Sequence, residues 1–326
     1  MAGAELERRA EVWSARDGVK VYEELIRQLQ DIAPVRRDEP LARHVTFGIG
    51  GPADVFVTVR SANELARAVA TVRENGVPLF ILGAGSNILV GDGGVRGVVI
   101  DNQARRIDGP AERDGAWEVR VESGMSFAAL ARTLARQGFG GIEWASGIPG
   151  TLGGAVVYNA GAYGGCLADV LRAATLLVAN GSRREMQPGD LKLTYRNSIF
   201  TRGECDGCVV LDATIAITPG DSAALLRRID EIDAERLSAQ PRGRTGGSTF
   251  KNPEGHRAWE LIDAVGLRGH RIGDAQISGK HCNFVMNVGA ARAADVFALM
   301  QEARRRVRER YGIDLENEVE LVGEGF

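Results

Sequence analysis

Residues 138–165 read GFGGIEWASGIPGTLGGAVVYNAGAYGG, and the fold follows from how this run is interpreted. Gly147, Gly150, Gly153 and Gly154 remove Cβ atoms where a backbone turns sharply or lies against something flat. Pro149 stiffens the turn between them, while Ile142, Trp144, Ile148 and Leu152 supply apolar anchorage. A flexible linker would carry serine and charge instead. Two readings fit equally: a rigid backbone cradle for a flat ligand, or a glycine-rich buried turn packed against another element.

Upstream of this run, Phe127, Leu130, Ala131 and Leu134 recur at helical spacing, so the pattern predicts a helix over 126–137 that Gly138 stops. A strand over 117–122 precedes it. Further back, Ser61 and Glu64 form a capping box that starts a helix ending near Gly76, after an alternating strand with Val55, Val57 and Val59. A short buried strand over 77–82 then runs into Gly83, Ala84, Gly85, Ser86 and Asn87. Backbone N–H groups of such a loop can converge on a phosphate, although a purely structural turn is the simpler reading in isolation. Ile88 stands where a dinucleotide fingerprint needs its third glycine, and Gly91, Gly93 and Gly94 leave no room for a crossover helix. The setting is not a Rossmann unit.

Downstream, strands are expected over 171–178, 208–217 and 283–288, and helices over 221–239, 257–266 and 291–310. Strands mixed with helices at irregular intervals indicate an α+β protein. Residues 1–40 hold an amphipathic helix with Val21, Leu25, Ile26 and Leu29 on its apolar face, then a proline-bounded connector from 34 to 40. Gly246 and Gly247 ahead of Ser248 permit a backbone that aims the hydroxyl into a cleft, against the plainer reading of a turn serine. No GxSxG elbow is present, so Ser248 is placed to donate a proton rather than to attack. Arg268, His270, Arg271, Lys280 and His281 make a basic stretch suited to an acidic ligand or to a solvated loop. Glu316, Glu318 and Glu320 would share one face of a strand in the tail.

The composition is that of a soluble globular protein of two or three domains: 326 residues, 44% hydrophobic, 25% charged, net charge −3. That charge argues against nonspecific nucleic-acid binding. MAGAELERRA lacks an apolar leader core, and no run approaches the roughly 18 residues of a membrane span, which points to a cytoplasmic protein. Four cysteines do not make a disulfide framework, and the one CxxC, Cys205 and Cys208, lacks the partners of a zinc set; no metal is expected.

The series TFGIGGPAD, LGAGSNILV, SGIPGTLGGAVVYNAGAYG, YRNSIF, GSTFKNP and LENEVELVG, in this order, resembles the UDP-N-acetylenolpyruvoylglucosamine reductases, over about residues 41 to 323. The resemblance implies a PCMH-type (vanillyl-alcohol-oxidase-like) FAD-binding fold in two lobes, about 41–105 and 106–220, and a substrate-binding domain over 221–326 whose last strand returns to the active site. Residues 1–40 would be a helical extension. The absence of a tyrosine-bearing insertion after YRNSIF resembles the family's shorter, second type.

Carried over by position, Gly83 to Asn87 would hold the pyrophosphate of a tightly bound, non-covalent FAD. Ser146, Gly147, Ile148, Pro149, Gly150, Thr151, Gly153 and Gly154, with Asn159, Gly161, Ala162 and Tyr163 behind them, would seat the rest of the cofactor, and Arg236 would also face it. Ser248 matches the family's proton donor, and Arg196 and Glu318 its charged partners; Tyr195, Lys251, Asn252, Arg268 and His281 match substrate-side positions. The implied reaction takes electrons from NADPH through FAD to the enolpyruvyl ether of UDP-N-acetylglucosamine, with no obligate protein partner. Two rivals are a different oxidoreductase of the same flavin fold taking electrons from an alcohol or hydroxy acid, and a nonenzymatic nucleotide-binding or scaffold descendant. Turnover with NADPH separates the first, and a yellow purified protein weakens the second.

Overall fold

A computed structural model describes the backbone of residues 15–326 and the side chains from residue 22 onward. The first fourteen residues of the expected extension, and the Val21 side chain assigned to its apolar face, lie outside the described residues. The chain divides into two units. One holds the described residues up to Arg37 with Val55–Gly83 and Gly97–Asp233; the other holds Asp38–Asp54, Ala84–Arg96 and Ala234–Phe326.

The first unit is organised on an antiparallel sheet in the order Arg183–Met186, Leu171–Leu177, Val209–Pro219, Ala116–Glu122, Ile107–Arg113. Val209 and Leu211 join one apolar core, whereas Val210, Ala213, Ile215 and Ile217 join another. This strand is therefore buried on both faces, which its near-continuous apolar run requires. The first core takes Leu25, Ile26 and Leu29 of the helix Ala15–Gln30 and Leu65, Val69 and Val72 of the helix Ala62–Glu74, as their spacing predicts. Ser61 Oγ accepts from the Glu64 N–H (3.1 Å), and the Glu64 carboxylate accepts from the Arg60 N–H (2.7 Å), so the capping box closes one residue early. The second core holds the helix Phe127–Arg136, capped by Ser126, with Phe127 edge-on to Trp144 at 5.4 Å.

A further sheet runs in the order Val35–Pro40, Pro52–Val59, Val95–Asn102, Leu79–Leu82, the last pair parallel. The proline-bounded connector is thus a strand. Its charged residues suit a sheet edge, and the Arg36 guanidinium stacks 4.8 Å from the Phe56 ring. Within 138–165 the expected turn is instead a 3-10 turn, Glu143–Gly147, followed by a helix, Leu152–Tyr158. Gly153 is there for packing: a Cβ would stand 3.0 Å from the Ser123 side chain.

In the second unit, Arg244–Ser248, Phe284–Asn287, Ala275–Ile277 and Arg271–Ile272 form an antiparallel sheet. Half of the basic stretch is therefore a hairpin. The helices Ala258–Ala264 and Ala293–Tyr311 bury Leu261, Ile262, Val296, Met300 and Val307. Asp92 accepts from the Ala293 and Ala294 N–H groups (2.8 and 3.2 Å), satisfying two donors at the second helix's start. The tail strand is only Glu320–Val322, parallel to Ile88–Val90. Glu316 and Glu318 lie before it, so the three carboxylates do not share one strand face. Between the units along the chain runs the helix Ser222–Ala239, where Ile229 and Ile232 are buried but Leu225 and Leu226 only half so. Among the described residues no helix is long and apolar enough to cross a membrane, and no three His, Cys, Asp or Glu side chains are grouped to hold a metal ion.

Candidate active site

Three non-glycine residues of the first unit's expected site, Asn159 (φ 43°), Tyr163 (φ 51°) and Arg196 (φ 50°), have left-handed backbones. Such conformations cost about 1–3 kcal/mol each and persist only where the surroundings fix them. Asn159 shows the fixing. It ends the helix Leu152–Tyr158, its Nδ2 donates to Thr194 O (2.9 Å), and its Oδ1 accepts from Ala168 N (3.0 Å). It thereby ties the residues after the cradle to the loop of Tyr195 and Arg196. Thr194 and Asn197 exchange backbone bonds across that loop, and the buried Ser198 hydroxyl donates to Val157 O. Arg196 donates from Nη2 to Gly161 O (3.0 Å), and Tyr195, 63% exposed, stands beside its guanidinium at 5.8 Å.

The glycine-rich run forms a 3-10 turn and then the start of a helix. Thr151 caps the following helix by accepting from Gly154 N (3.3 Å), and Gly150 has φ 146°. Gly83 needs to be glycine because its Cβ would meet Thr151 Oγ1 at 2.8 Å. Gly147 and the Ser146 side chain are buried, with Ser146 Oγ donating to Asp233 (3.0 Å), while Ile148, Pro149 and Gly154 stay accessible. Gly161 and Ala162 pair with Cys166 and Gly165; a Cβ on Gly165 would strike the Trp144 ring at 2.5 Å.

In the second unit, Ser248 sits at an irregularity in the pairing of its strand with Phe284–Asn287. Both preceding glycines are required. A Cβ on Gly246 would lie 2.4 Å from the Phe47 ring, and Gly247 has φ 84°. Ser248 is half-buried, and its hydroxyl has no hydrogen-bond partner among the described residues. Thr249 O accepts from Glu318 N (2.9 Å), and Phe250 bridges to Asn317, so the segments of Ser248 and Glu318 run side by side. Thr249 Oγ1 and Asn317 Oδ1 are buried without a partner among the described residues, a state that calls for a ligand atom or a water.

Two positioning residues escaped the sequence reading. Asn283, 4% exposed, donates to Phe250 O (2.8 Å) and accepts from Phe250 N (2.9 Å), holding the serine segment as a neighbouring strand would. Thr46 donates to Thr245 O (2.7 Å) and pairs with Gly85 O (2.9 Å) through its own N–H. The only sequence signals were an asparagine opening a strand and a threonine opening a glycine cluster.

The expected substrate-side residues are mostly engaged. Arg268 grips the Asp263 carboxylate with two bonds (2.8 and 2.6 Å), which holds that carboxyl below its usual range. Lys251 pairs with Glu316 (3.2 Å), and Asn252 Oδ1 accepts from Ala258 N (3.0 Å) at the start of a helix. His281 packs between Trp259 (5.9 Å) and Phe284 (4.9 Å), and burial pulls its pKa below the ordinary histidine value, disfavouring the cationic ring. Arg236 is half-buried in the last turn of its helix.

The loop after the strand Leu79–Leu82 fits a diphosphate. Gly85 O and Asn87 O accept from Thr46 N and Glu320 N, and Asn87 Nδ2 donates to Glu318 O (2.9 Å). Ala84 and Gly85 donate no backbone bond among the described residues, so their N–H groups are not spent on the protein.

Comparison with known proteins agrees. Residues 53–187 match the FAD binding domain family, and residues 240–322 match the family described as UDP-N-acetylenolpyruvoylglucosamine reductase, C-terminal domain. The reductase of Lachnoclostridium phytofermentans is 40% identical over 92% of this chain and 97% of its own length. That of Rubrobacter xylanophilus is 43% identical over 91% and 98%. The crystal structure of the Thermus caldophilus enzyme superposes with a TM-score of 0.75 at 36% identity, covering 89% of this chain and 99% of the other. The fold is accordingly the PCMH-type FAD-binding fold with a C-terminal α+β domain. The chain belongs to the UDP-N-acetylenolpyruvoylglucosamine reductase family, FAD-dependent oxidoreductases of peptidoglycan synthesis.

Proposed function

We propose that this chain uses NADPH to reduce the enolpyruvyl ether of UDP-N-acetylglucosamine to UDP-N-acetylmuramate, with Ser248 as the proton donor. The observation that supports it most is the Ser248 hydroxyl, half-buried and unspent behind two glycines, one packed against the Phe47 ring and one with a left-handed backbone. FAD, when bound, supplies the two-electron store between NADPH and the enol ether. The residues of this chain do the rest. Arg196, permanently charged and bidentate by shape, holds the substrate carboxylate where negative charge grows during reduction. Its left-handed backbone, pinned through Asn159, fixes where that charge stands. Glu318 shares a proton with the same oxygen. Ser248 gives its proton to the carbon beside the carboxylate; a serine is a weak acid, so it needs the strongly basic carbon that reduction produces.

In the same reading, 41–220 is the FAD-binding region, 221–326 binds the UDP sugar and 1–40 is an extension; the lack of an insertion after Phe200 marks the shorter type. Ala84 to Asn87 with Gly83 hold the non-covalent cofactor's diphosphate, the cradle over 146–154 with Gly161, Ala162 and Tyr163 seats its ring, and Arg236 faces it. Tyr195, Lys251, Asn252, Arg268 and His281 line the sugar nucleotide's path; because Arg268 and Lys251 are already paired, they act by placing neighbours more than by offering bare charge. The reaction is cytoplasmic and serves cell shape and division through the wall.

The test is NADPH oxidation by the purified yellow protein. The expected result is consumption that depends on the UDP-enolpyruvyl sugar and yields UDP-N-acetylmuramate in equal amount. Oxidation of an alcohol with no use of NADPH would overturn the reading.

A further inference from the structure

The motif that the reaction leaves unused is CDGC. Cys205 and Cys208 are bonded to each other, while Cys166 and Cys282 are free thiols. The pair closes a turn in which Cys208 N donates to Cys205 O (3.0 Å), and Asp206 and Gly207 at its tip are exposed. Both cysteines are half-buried and pack against the edge of the second core, while the tip of the turn between them faces solvent. Joining residues three apart closes so short a ring that little unfolded-chain entropy is removed. Such a bond is a poor staple. The Arg73 guanidinium donates to Gly207 O and Val178 O, which puts a fixed positive charge under the same turn. A cation beside a CxxC favours the thiolate, the form that attacks and leaves in exchange.

The turn also ends the loop that carries Arg196. From 187 to 208 the chain has no helix or paired strand beyond the small Thr194–Asn197 bridge, and its order comes from hydrogen bonds. Glu204 N donates to Ile199 O (2.8 Å), Ile199 N to Leu191 O (3.1 Å), and Arg202 to Lys192 O (2.6 Å); the Glu204 carboxylate pairs with both Lys192 and Arg202. The bonds to Leu191 and Lys192 join the disulfide side of the loop to the side that leads into Tyr195 and Arg196, and those from Glu204 to Ile199 and Arg202 brace the disulfide side itself.

We propose that Cys205 and Cys208 are a reversible redox site that exchanges with a small dithiol carrier and sets the order of the Arg196 loop. A carrier thiolate attacks one sulfur, the S–S bond breaks and a mixed disulfide forms. The carrier's second thiolate displaces the remaining cysteine. Cys205 and Cys208 end as thiols, having gained two electrons and two protons, and the carrier ends as a disulfide. The effect on turnover rests on the role proposed above for Arg196; the exchange itself does not.

The FAD-loaded full chain is equilibrated with mixtures of reduced and oxidised dithiothreitol, quenched in acid, denatured and alkylated, and labels are counted by mass. The expected count moves reversibly between two, for Cys166 and Cys282, and all four. Turnover is expected to be several-fold lower in the reduced form, and a Cys205→Ser, Cys208→Ser double variant is expected to lose that difference. Four labels in every oxidising mixture, or two in every reducing one, would overturn the redox site. Reversible labelling with unchanged turnover would overturn its control of Arg196. Failure of the wild type to reduce the enol ether at all would count against the proposed function, and the label count would still decide the exchange.

Discussion

Asn159 does with one amide what a short strand does with several backbone groups. Replacing it by alanine removes the bonds to Thr194 and Ala168 and leaves a side chain that resists φ 43°. The expected cost is about 1–3 kcal/mol, read as a lower urea midpoint, and an unchanged midpoint would show that the loop is held elsewhere. For Ser248→Ala, flavin reduction by NADPH should continue while reoxidation by the UDP-enolpyruvyl sugar falls ~10²–10⁴-fold in stopped-flow traces. Equal loss in both half-reactions would remove the serine from the proton step. His281 carries a pH signature. Burial first, with the charge of Arg268 adding to it, holds its pKa below 6.5 in the fold. The folded chain then binds fewer protons there than the unfolded one, so its contribution is complete above about pH 6.5 and is lost as pH falls through the folded pKa. Between about pH 7 and pH 5, stability should fall less steeply in His281→Phe than in the wild type, as read by urea titration. Parallel slopes would mean that the ring does not titrate with folding.

At the level of elements, the glycines before Ser248 give a sharp test. Gly246→Ala drives a methyl to 2.4 Å from the Phe47 ring and should cost about 1–3 kcal/mol in thermal stability. Adding Phe47→Leu should return part of that loss; if it does not, the clash is not the cause. The same scale shows what could be read beforehand. Helices with their own start and stop signals were legible: Ser61 with Glu64, and Ser126 with Gly138, mark their ends through chemistry held within a few residues. The edge strand Val35–Pro40 was not, because in VRRDEP only Val35 and the position before Pro40 favour extension and the charged middle does not, until a neighbour supplies its bonds. The helix Leu152–Tyr158 was hidden by two glycines, of which Gly153 packs closely on Ser123, a tertiary demand that overrides propensity. The site divides in the same way. Gly247 and its unusual backbone could be anticipated from residue type, while Ser248, Arg196 and Glu318 are candidates that the ordered motifs propose. The engagement of Arg268 with Asp263, and of Asn283 with Phe250, depends on partners that only the folded chain brings near.

For the molecule as a whole, the second unit is assembled from three separate stretches of chain. Ile88–Val90 pairs with Glu320–Val322, Asp92 caps the helix Ala293–Tyr311, and Asn287 donates to Phe47 O (3.0 Å). Residues 234–326 expressed alone should therefore lack a cooperative thermal transition, and a dispersed proton spectrum from that fragment would contradict this. Asn87 and Glu318 are joined although 231 positions separate them. On the ribosome, the glycine loop that this bond steadies must wait, unfinished, until nearly the whole chain has been made. A cofactor diphosphate resting on it could settle only then, so this enzyme's colour should be a property of completed chains and never of nascent ones.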